Sequence, residues 1–175
     1  MTDPLDGRFG ESWSGDVPNG SHINAVLARR GSPTAAAAAS ALANPRPGIV
    51  PFLACLSPGL VARPYTVVVN KSPVPDDVDS RLGPITWGAA QLGIAQGVLD
   101  AVADGLLPAS EVPDLVLLVA LWVDPAAHDE TAIKRANREA MRGAIADAVR
   151  PPTDGEIIAL AERREEAANI YYTGD

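Results

Sequence analysis

The chain has 175 residues, of which 47% are apolar and 21% are charged, and this is typical of one globular domain with a substantial core. Its formal net charge of −8 at pH 7 disfavours nucleic acid as a partner, because such binding draws on clustered Lys and Arg to neutralise phosphates. The longest uninterrupted apolar stretch, residues 115–123, is far shorter than the roughly 20 residues of a membrane-spanning helix. We therefore expect neither a nucleic-acid partner nor a membrane span.

The N-terminal residues and the cysteine content indicate a cytoplasmic location. Residues 1–10 include Asp3, Asp6 and Arg8 and lack the basic start and apolar core of a secretory signal. Cys55 is the only cysteine, so neither a disulfide within the chain nor a cysteine-based zinc cluster is expected.

The first predicted elements are a surface arm and a strand. Residues 1–21 are rich in Gly, Asp, Ser and Pro, and within them only residues 8–13 predict a short strand. Residues 22–27 alternate polar and apolar before becoming wholly apolar, which predicts a strand with one accessible face. The period of two places His22 and Asn24 on the same face of that strand.

A helix and two further strands are predicted next. Ser32 followed by Pro33 is typical of a helix start, and the Ala-rich run predicts a helix over residues 33–44. Residues 49–56 and 65–70 are apolar and partly β-branched, and each predicts a strand. The proline-rich segment that follows, as far as Pro84, predicts an irregular loop.

The second half of the chain predicts two long helices on either side of a buried strand. Small and apolar residues recur at helical spacing over residues 87–104, and Gly105 is a natural C-terminal cap. Residues 115–123 are short, branched and bounded by prolines, which favours a buried strand. Residues 132–149 predict the second long helix.

A final helix and the overall architecture follow from the remaining pattern. Thr153 and Glu156 have capping-box spacing, which predicts a helix in the tail. The order β-β-α-β-β-α-β-α-α predicts an α/β domain of the α+β two-layer type. We predict an N-terminal arm over residues 1–21, one domain over residues 22–150 and a C-terminal helical tail over residues 151–175.

Several short motifs follow one another between residues 10 and 150. They are Gly10-Glu11, Gly15-Asp16, His22-Ile23, RGSP at 30–33, ALANPR at 41–46, Asn70-Lys71, GAAQLG at 88–93, DAVADG at 100–105, Asp114-Leu115 and NREA at 137–140. In this order and spacing the chain resembles the formaldehyde-activating enzyme family. The tail after Pro151 is not covered by the resemblance.

The resemblance implies a fold and an activity. The implied fold is a mixed sheet with helices on one face, similar to a ribosomal-protein-like fold. The implied activity is that of a carbon–nitrogen-bond-forming hydro-lyase, which condenses formaldehyde with tetrahydromethanopterin or a related reduced pterin to the methylene adduct and water. The resemblance also implies a homopentamer with clefts between subunits, and it implies no metal.

Four positions match the family's functional residues. The reaction needs a proton donor because a carbinolamine must lose hydroxide, and the resemblance makes His22 that general acid. It also makes Lys71 and Gln91 contacts to the pterin or the aldehyde, and Leu53 an apolar contact.

Each of these positions also has an ordinary structural reading. A lone strand histidine is more often structural than catalytic, and Lys71 reads equally as a solvated charge at a strand end. Gln91 reads as a side chain that satisfies nearby backbone groups, and Leu53 as core. A lysine also forms a Schiff base with formaldehyde, but only when its pKa is lowered.

Two positions depart from the family pattern. Asn24 stands where the family has an aspartate, so the pterin site has lost a charged acceptor and kept a neutral one. Pro73 stands near a pterin-contacting threonine and has neither hydroxyl nor N–H. These departures favour an alternative function, a non-catalytic paralogue that binds or senses formaldehyde, a pterin or a protein partner.

The implied fold is also compatible with an RNA-binding module. The excess of acidic over basic residues argues against this function.

Overall fold

The computed structural model describes residues 5–77 and 79–166. Its strands are β1 (Arg8–Ser14), β2 (Ser21–Arg29), β3 (Phe52–Leu53), β4 (Cys55–Ser57), β5 (Leu60–Val61), β6 (Tyr65–Asn70) and β7 (Leu115–Val123). Its helices are α1 (Pro33–Leu42), α2 (Leu82–Pro84), α3 (Gln91–Ala103), α4 (Glu130–Val149) and α5 (Asp154–Glu162). A π-helical segment, Ile85–Ala90, joins α2 to α3, and two 3-10 turns are Val112–Asp114 and Arg164–Glu166.

The main sheet has five strands in the order β1-β2-β7-β6-β3. β2 is antiparallel to both β1 and β7, β6 is parallel to β7, and β3 is antiparallel to β6. The parallel pair needs a crossover connection, which the helical segment from α2 to α3 supplies. The predicted α+β two-layer fold is confirmed.

One face of the sheet packs on α3 and α4 and forms the core. Alternate residues of β7 are buried and half-buried along its whole length, as expected for a strand with one face toward the core. The large fully buried side chains from sheet and helices meet in this core. They include Ile23, Leu117, Leu121, Ile94, Ile133, Met141 and Ile145.

The opposite face of the sheet carries three rows of side chains, which we call the open face. The strand register sets these rows, because residues directly opposite on neighbouring strands point to the same side. The rows are Phe9–Val26–Leu118, Glu11–Asn24–Ala120 and Trp13–His22–Trp122. Helix α1 contacts β2, β6 and β7, and part of the open face is left exposed, including Phe9 at 75%.

Most predicted elements are confirmed. The structure has the predicted strand over residues 65–70, the buried strand over residues 115–123 and the capping box between Thr153 and Glu156. The long helix predicted from residue 87 begins earlier, since α2 and the π-helical segment precede it.

The predicted single strand over residues 49–56 is wrong. Only β3 joins the main sheet, through the pairs Phe52↔Val68 and Leu53↔Val67. The chain then leaves the sheet, and β4 pairs with β5 in a separate hairpin. Gly59 has φ +79° in the turn of this hairpin, a backbone conformation that glycine adopts without strain.

The C-terminal helix α5 contributes no buried residue. The rest of the predicted tail, residues 167–175, and the first residues of the predicted arm, 1–4, lie outside the described residues. The division into arm, domain and tail stays a prediction. In the described ranges no helix combines the length and the apolar character that a membrane span requires.

Candidate active site

Four side chains, three from β1 and β2 and one from the residue that follows β6, form a polar cluster on the open face. Lys71 Nζ lies 3.0 Å from His22 Nδ1 and donates a hydrogen bond to Asn24 Oδ1 at 2.9 Å. On the other side of the imidazole, His22 Nε2 lies 2.6 Å from Glu11 Oε1. The imidazole is therefore held between an amine and a carboxylate.

The strand order explains how these side chains meet. Glu11 lies opposite Asn24 in the β1–β2 pair, one row away from His22. Lys71 directly follows β6, and its backbone N–H donates to Leu121 O at 2.6 Å, which holds it against β7. Its side chain reaches β2 across β7, where the side chain opposite Asn24 is the single methyl group of Ala120.

The hydrogen bonds assign the proton on the imidazole. A lysine ammonium only donates, so His22 Nδ1 accepts and the ring proton lies on Nε2, facing Glu11. This tautomer follows from the network. Burial lowers the pKa of Lys71, and the Glu11 carboxylate partly opposes this shift by favouring the ammonium.

Asn70 fixes the loop that carries Lys71. Its side chain is 3% exposed, and its Nδ2 donates to Gly48 O at 2.8 Å and to Ser72 O at 2.7 Å. These two bonds tie the segments before and after Lys71 to each other. Among the described residues, Asn70 Oδ1 has no hydrogen-bond partner.

A cavity of about 710 Å³ opens beside Lys71. This volume lies within the roughly 300–1,000 Å³ typical of small-molecule sites. Helix α1, the following loop and the end of β6 form its walls. The lining residues include Ala37, Ser40, Ala41, Asn44, Val69 and Lys71.

Aromatic rings border the cluster on the side away from this cavity. The Trp13 ring lies 6.2 Å from the His22 ring and 5.4 Å from the Trp122 ring, measured between centroids. The Trp13 indole also donates to Gly15 O at 2.8 Å. These contacts restrict the orientation of the imidazole, whose side chain remains 30% exposed.

The structure brings together three of the five predicted site residues. His22, Asn24 and Lys71 are in contact. Gln91 instead donates to Cys55 Sγ at 3.1 Å and lines a different cavity, of about 490 Å³, with Trp87 and Lys134. Leu53 pairs opposite Val67 in β6 and contributes no contact to the polar cluster.

Glu11 was not among the residues predicted from the sequence. Its motif, Gly10-Glu11, belonged to the family resemblance, and alternation along β1 places it with Phe9 and Trp13. The missing information was the pairing of β1 with β2, which brings the carboxylate to His22. In the described parts of the chain, no group of three or more His, Cys, Asp or Glu is arranged to hold a metal ion.

Comparison with known proteins identifies the family. The sequence profile described as formaldehyde-activating enzyme matches residues 9–169. The chain belongs to the formaldehyde-activating enzyme family. The predicted family is thereby confirmed, and so is the prediction that the chain is an enzyme of the lyase class.

Individual relatives agree with this family assignment. The chain is 34% identical over 166 residues to a 5,6,7,8-tetrahydromethanopterin hydro-lyase of Methanosarcina barkeri, covering 94% of this chain and 89% of that protein. It is 31% identical over 155 residues to a bifunctional enzyme Fae/Hps of Methanothrix thermoacetophila, covering 89% of this chain and 39% of that protein. A bifunctional enzyme Fae/Hps of Archaeoglobus fulgidus is 31% identical over 157 residues, with coverages of 90% and 39%.

Proposed function

We propose that this protein condenses formaldehyde with tetrahydromethanopterin, or with a related reduced pterin, to form the methylene adduct and water. The Methanosarcina barkeri relative is named for tetrahydromethanopterin, and the match covers nearly the whole of both chains. The observation that carries the proposal is the contact between His22 and Lys71 beside a cavity of substrate size.

His22 is proposed as the general acid. An amine of the pterin attacks the aldehyde carbon, and the resulting carbinolamine must lose its hydroxyl group as water. His22 acts as the acid in its imidazolium form, whose Nε2–H is held by Glu11 and whose second proton, on Nδ1, goes to the departing oxygen. Glu11 accepts from Nε2 and orients the ring.

Asn24 and Lys71 are proposed to bind the substrates. Asn24 keeps a carbonyl acceptor at this position, and the acceptor holds Lys71 Nζ at 2.9 Å. The polar cluster therefore forms although the family's aspartate is absent. An asparagine accepts a hydrogen bond from a pterin N–H through one neutral oxygen. We therefore expect the residue at position 24 to influence which reduced pterin the protein uses.

A rate assay with two acceptors tests the proposal. Formaldehyde is mixed with tetrahydromethanopterin or with tetrahydrofolate, and methylene product is followed with and without the protein. We expect the protein to accelerate the tetrahydromethanopterin reaction above its spontaneous rate. A rate equal to the spontaneous one with both acceptors would contradict the proposal.

The second candidate function is a non-catalytic paralogue that binds formaldehyde, a pterin or a protein partner. Pro73 favours it, because it lies beside Gly48, next to the loop that carries Lys71, and offers no N–H to a ligand. Such a protein would bind one equivalent of the pterin or the aldehyde per site. It would not accelerate the formation of the methylene product.

We further propose that the protein is a homo-oligomer, a pentamer by family resemblance, in which a neighbouring copy completes the site. Two observations support this: the open face exposes Phe9, and Gln91 lines a cavity that contains neither His22 nor Lys71. A copy seated on the open face would bring further residues to the cluster.

The variant Phe9→Asp is expected to shift the protein toward the monomer, because a charge in an apolar interface is costly to desolvate. Leu160→Asp is the matched control, since Leu160 is 60% exposed on α5, a helix that contributes no buried residue. Light scattering after gel filtration measures the mass. An unchanged oligomer in Phe9→Asp would contradict an interface on this face.

The variant Glu11→Gln is expected to lower the catalysed rate by about ten- to a hundredfold. The carboxylate that receives His22 Nε2–H is replaced by a neutral amide, and hydrogen bonds to charged groups are worth roughly 1.5–3 kcal/mol. Glu111→Gln is the control, because Glu111 pairs with Arg29 away from the cluster. Initial rates are compared at saturating formaldehyde, and equal rates for the two variants would remove Glu11 from the mechanism.

A further inference from the structure

The amine of Lys71 is surrounded by neutral acceptors. Nζ contacts Asn24 Oδ1 and His22 Nδ1. Glu11, the acid whose charge acts on Lys71, directs its carboxylate to His22 Nε2. In the part of the chain that the structure describes, no carboxylate forms an ion pair with Lys71. The ammonium form of Lys71 is therefore not stabilised by a direct ion pair with those residues.

The residue that carries this amine lines a cavity and contacts His22. Lys71 lines the cavity of about 710 Å³ between α1 and the end of β6, which is ample for formaldehyde. His22 lies within hydrogen-bond distance of Nζ. Lys71 Nζ, an imidazole nitrogen that exchanges protons with it and a cavity that admits the aldehyde therefore lie side by side.

The titratable groups that act on Lys71 from the strands are His22 and Glu11, and Arg46 lines the same cavity. Burial lowers the pKa of Lys71 more than the Glu11 carboxylate raises it, so a larger fraction of the amine is neutral than at an ordinary surface lysine. A neutral amine is the form that attacks a carbonyl carbon.

We propose that Lys71 captures formaldehyde as a Schiff base and that the carbon then passes from Lys71 to the amine of the acceptor. This proposal rests on the proposed function and gives Lys71 a covalent part in it. In this route the acceptor does not attack free formaldehyde. Lys71 Nζ first binds the carbon covalently, and the acceptor then takes the carbon from Nζ.

The steps balance without any oxidant or reductant. The Nζ lone pair attacks the carbonyl carbon, the C=O π electrons move to oxygen, and the nitrogen loses a proton as the oxygen gains one. His22, as an imidazolium, then donates its Nδ1 proton to the hydroxyl, the C–O bond breaks, water leaves and the Nζ lone pair forms the C=N bond. An acceptor amine next attacks the methylene carbon, a proton moves from that amine to Nζ, and the C–Nζ bond breaks as the lone pair of the acceptor nitrogen forms a C=N bond, which frees the lysine as a neutral amine. A second nitrogen of the acceptor then attacks this carbon to close the methylene bridge, and the proton that it loses returns to His22.

Reductive trapping tests the capture step directly. The whole protein is treated with limiting formaldehyde and cyanoborohydride, without any acceptor, and its peptides are analysed by mass spectrometry. The Schiff base is thereby fixed as a methylated lysine. Lys134, the other lysine of the sequence, is half-buried and serves as the internal control.

We expect Lys71 to be methylated at least tenfold faster than Lys134. In Asn24→Asp a carboxylate replaces the neutral acceptor of Nζ, so labelling of Lys71 should fall about tenfold at neutral pH while labelling of Lys134 stays the same. Equal labelling of the two lysines in the wild type would overturn the proposal.

Turnover by Lys71→Arg separates this proposal from the proposed function. Arginine keeps the positive charge but forms no Schiff base, so we expect its catalysed rate to fall by at least a hundredfold. Full turnover by Lys71→Arg would overturn covalent capture and leave the proposed function intact. Selective labelling of Lys71 in a wild type without turnover would uphold capture and overturn the proposed function.

Discussion

The variant His22→Gln is expected to lose about 10²–10⁴-fold of the catalysed rate of methylene formation, the range that a positioned general acid contributes. Glutamine retains polar atoms that reach Lys71 and Glu11, but it does not release a proton at neutral pH. Because the His22 side chain is 30% exposed and lies outside the core, the fold and the oligomeric mass should be unchanged.

The matched control is His128→Gln. His128 is the other histidine of the sequence, and its Nδ1 contacts the backbone of Ala126 at 3.2 Å, in the loop before α4. Its replacement should leave the rate within twofold of the wild type. If His22→Gln kept the full rate in the same assay, His22 would not be the general acid.

The variant Gly97→Ala is expected to lower the free energy of unfolding by about 1–3 kcal/mol, the usual cost of overpacking a core. Helices α3 and α4 meet closely at this residue. A Cβ at position 97 would lie 2.5 Å from Arg138 O and 2.8 Å from Met141 Cβ. Arg138 is also tied to Asp100 of α3 by a two-pronged hydrogen bond, so the helices separate only by losing that contact.

Gly88→Ala is the control for the glycine substitution itself. No heavy atom lies within 4 Å of a Cβ at position 88, and a helical Gly→Ala change without a clash is favourable by roughly 0.5–1 kcal/mol. Urea unfolding at one fixed protein concentration measures both variants, because oligomerisation makes apparent stability depend on concentration. A Gly97→Ala protein as stable as Gly88→Ala would contradict the close approach of the helices.

Local patterns predicted the elements in which sequence and packing agree. Strand β7 is branched, apolar and bounded by Pro113 and Pro125, and a buried central strand requires these features. The capping box of α5 depends only on Thr153 and Glu156, which lie within one helical turn. Such elements can be predicted without knowing the positions of distant parts of the chain.

The segment between α1 and β6 was predicted less well because its structure depends on distant partners. β3 is limited to Phe52 and Leu53 since only these residues pair with β6. The following strand, β4, pairs with β5 outside the main sheet. Both strands are apolar, and apolar character alone does not say which partner a strand takes.

The candidate site was also predicted only in part, because some of its contacts depend on local sequence and others on distant pairing. The period of two placed His22 and Asn24 on one face, and the structure has them in adjacent rows of the open face. Contact with Lys71 depends on the order β2-β7-β6 and on the small side chain of Ala120 between them, and the role of Glu11 depends on the register of β1. None of these is readable from local sequence.

The position of Gln91 in a single chain differs from the position that the family resemblance predicts. The family resemblance implies that Gln91 contacts the substrate, whereas its amide in this chain donates to Cys55 in a separate cavity. The proposed oligomer accounts for this difference if the second cavity of one copy faces the polar cluster of the next. The Phe9→Asp variant addresses that arrangement.

When both substrates greatly exceed the protein, the amount of methylene-tetrahydromethanopterin formed per protomer separates catalysis from binding. If the protein is the proposed lyase, product forms faster than the spontaneous reaction, in proportion to protein concentration, and continues through many equivalents per protomer. If instead any effect of the protein ends at one equivalent per protomer and the remaining reaction runs at the spontaneous rate, the protein is a binder and the proposed catalysis is contradicted.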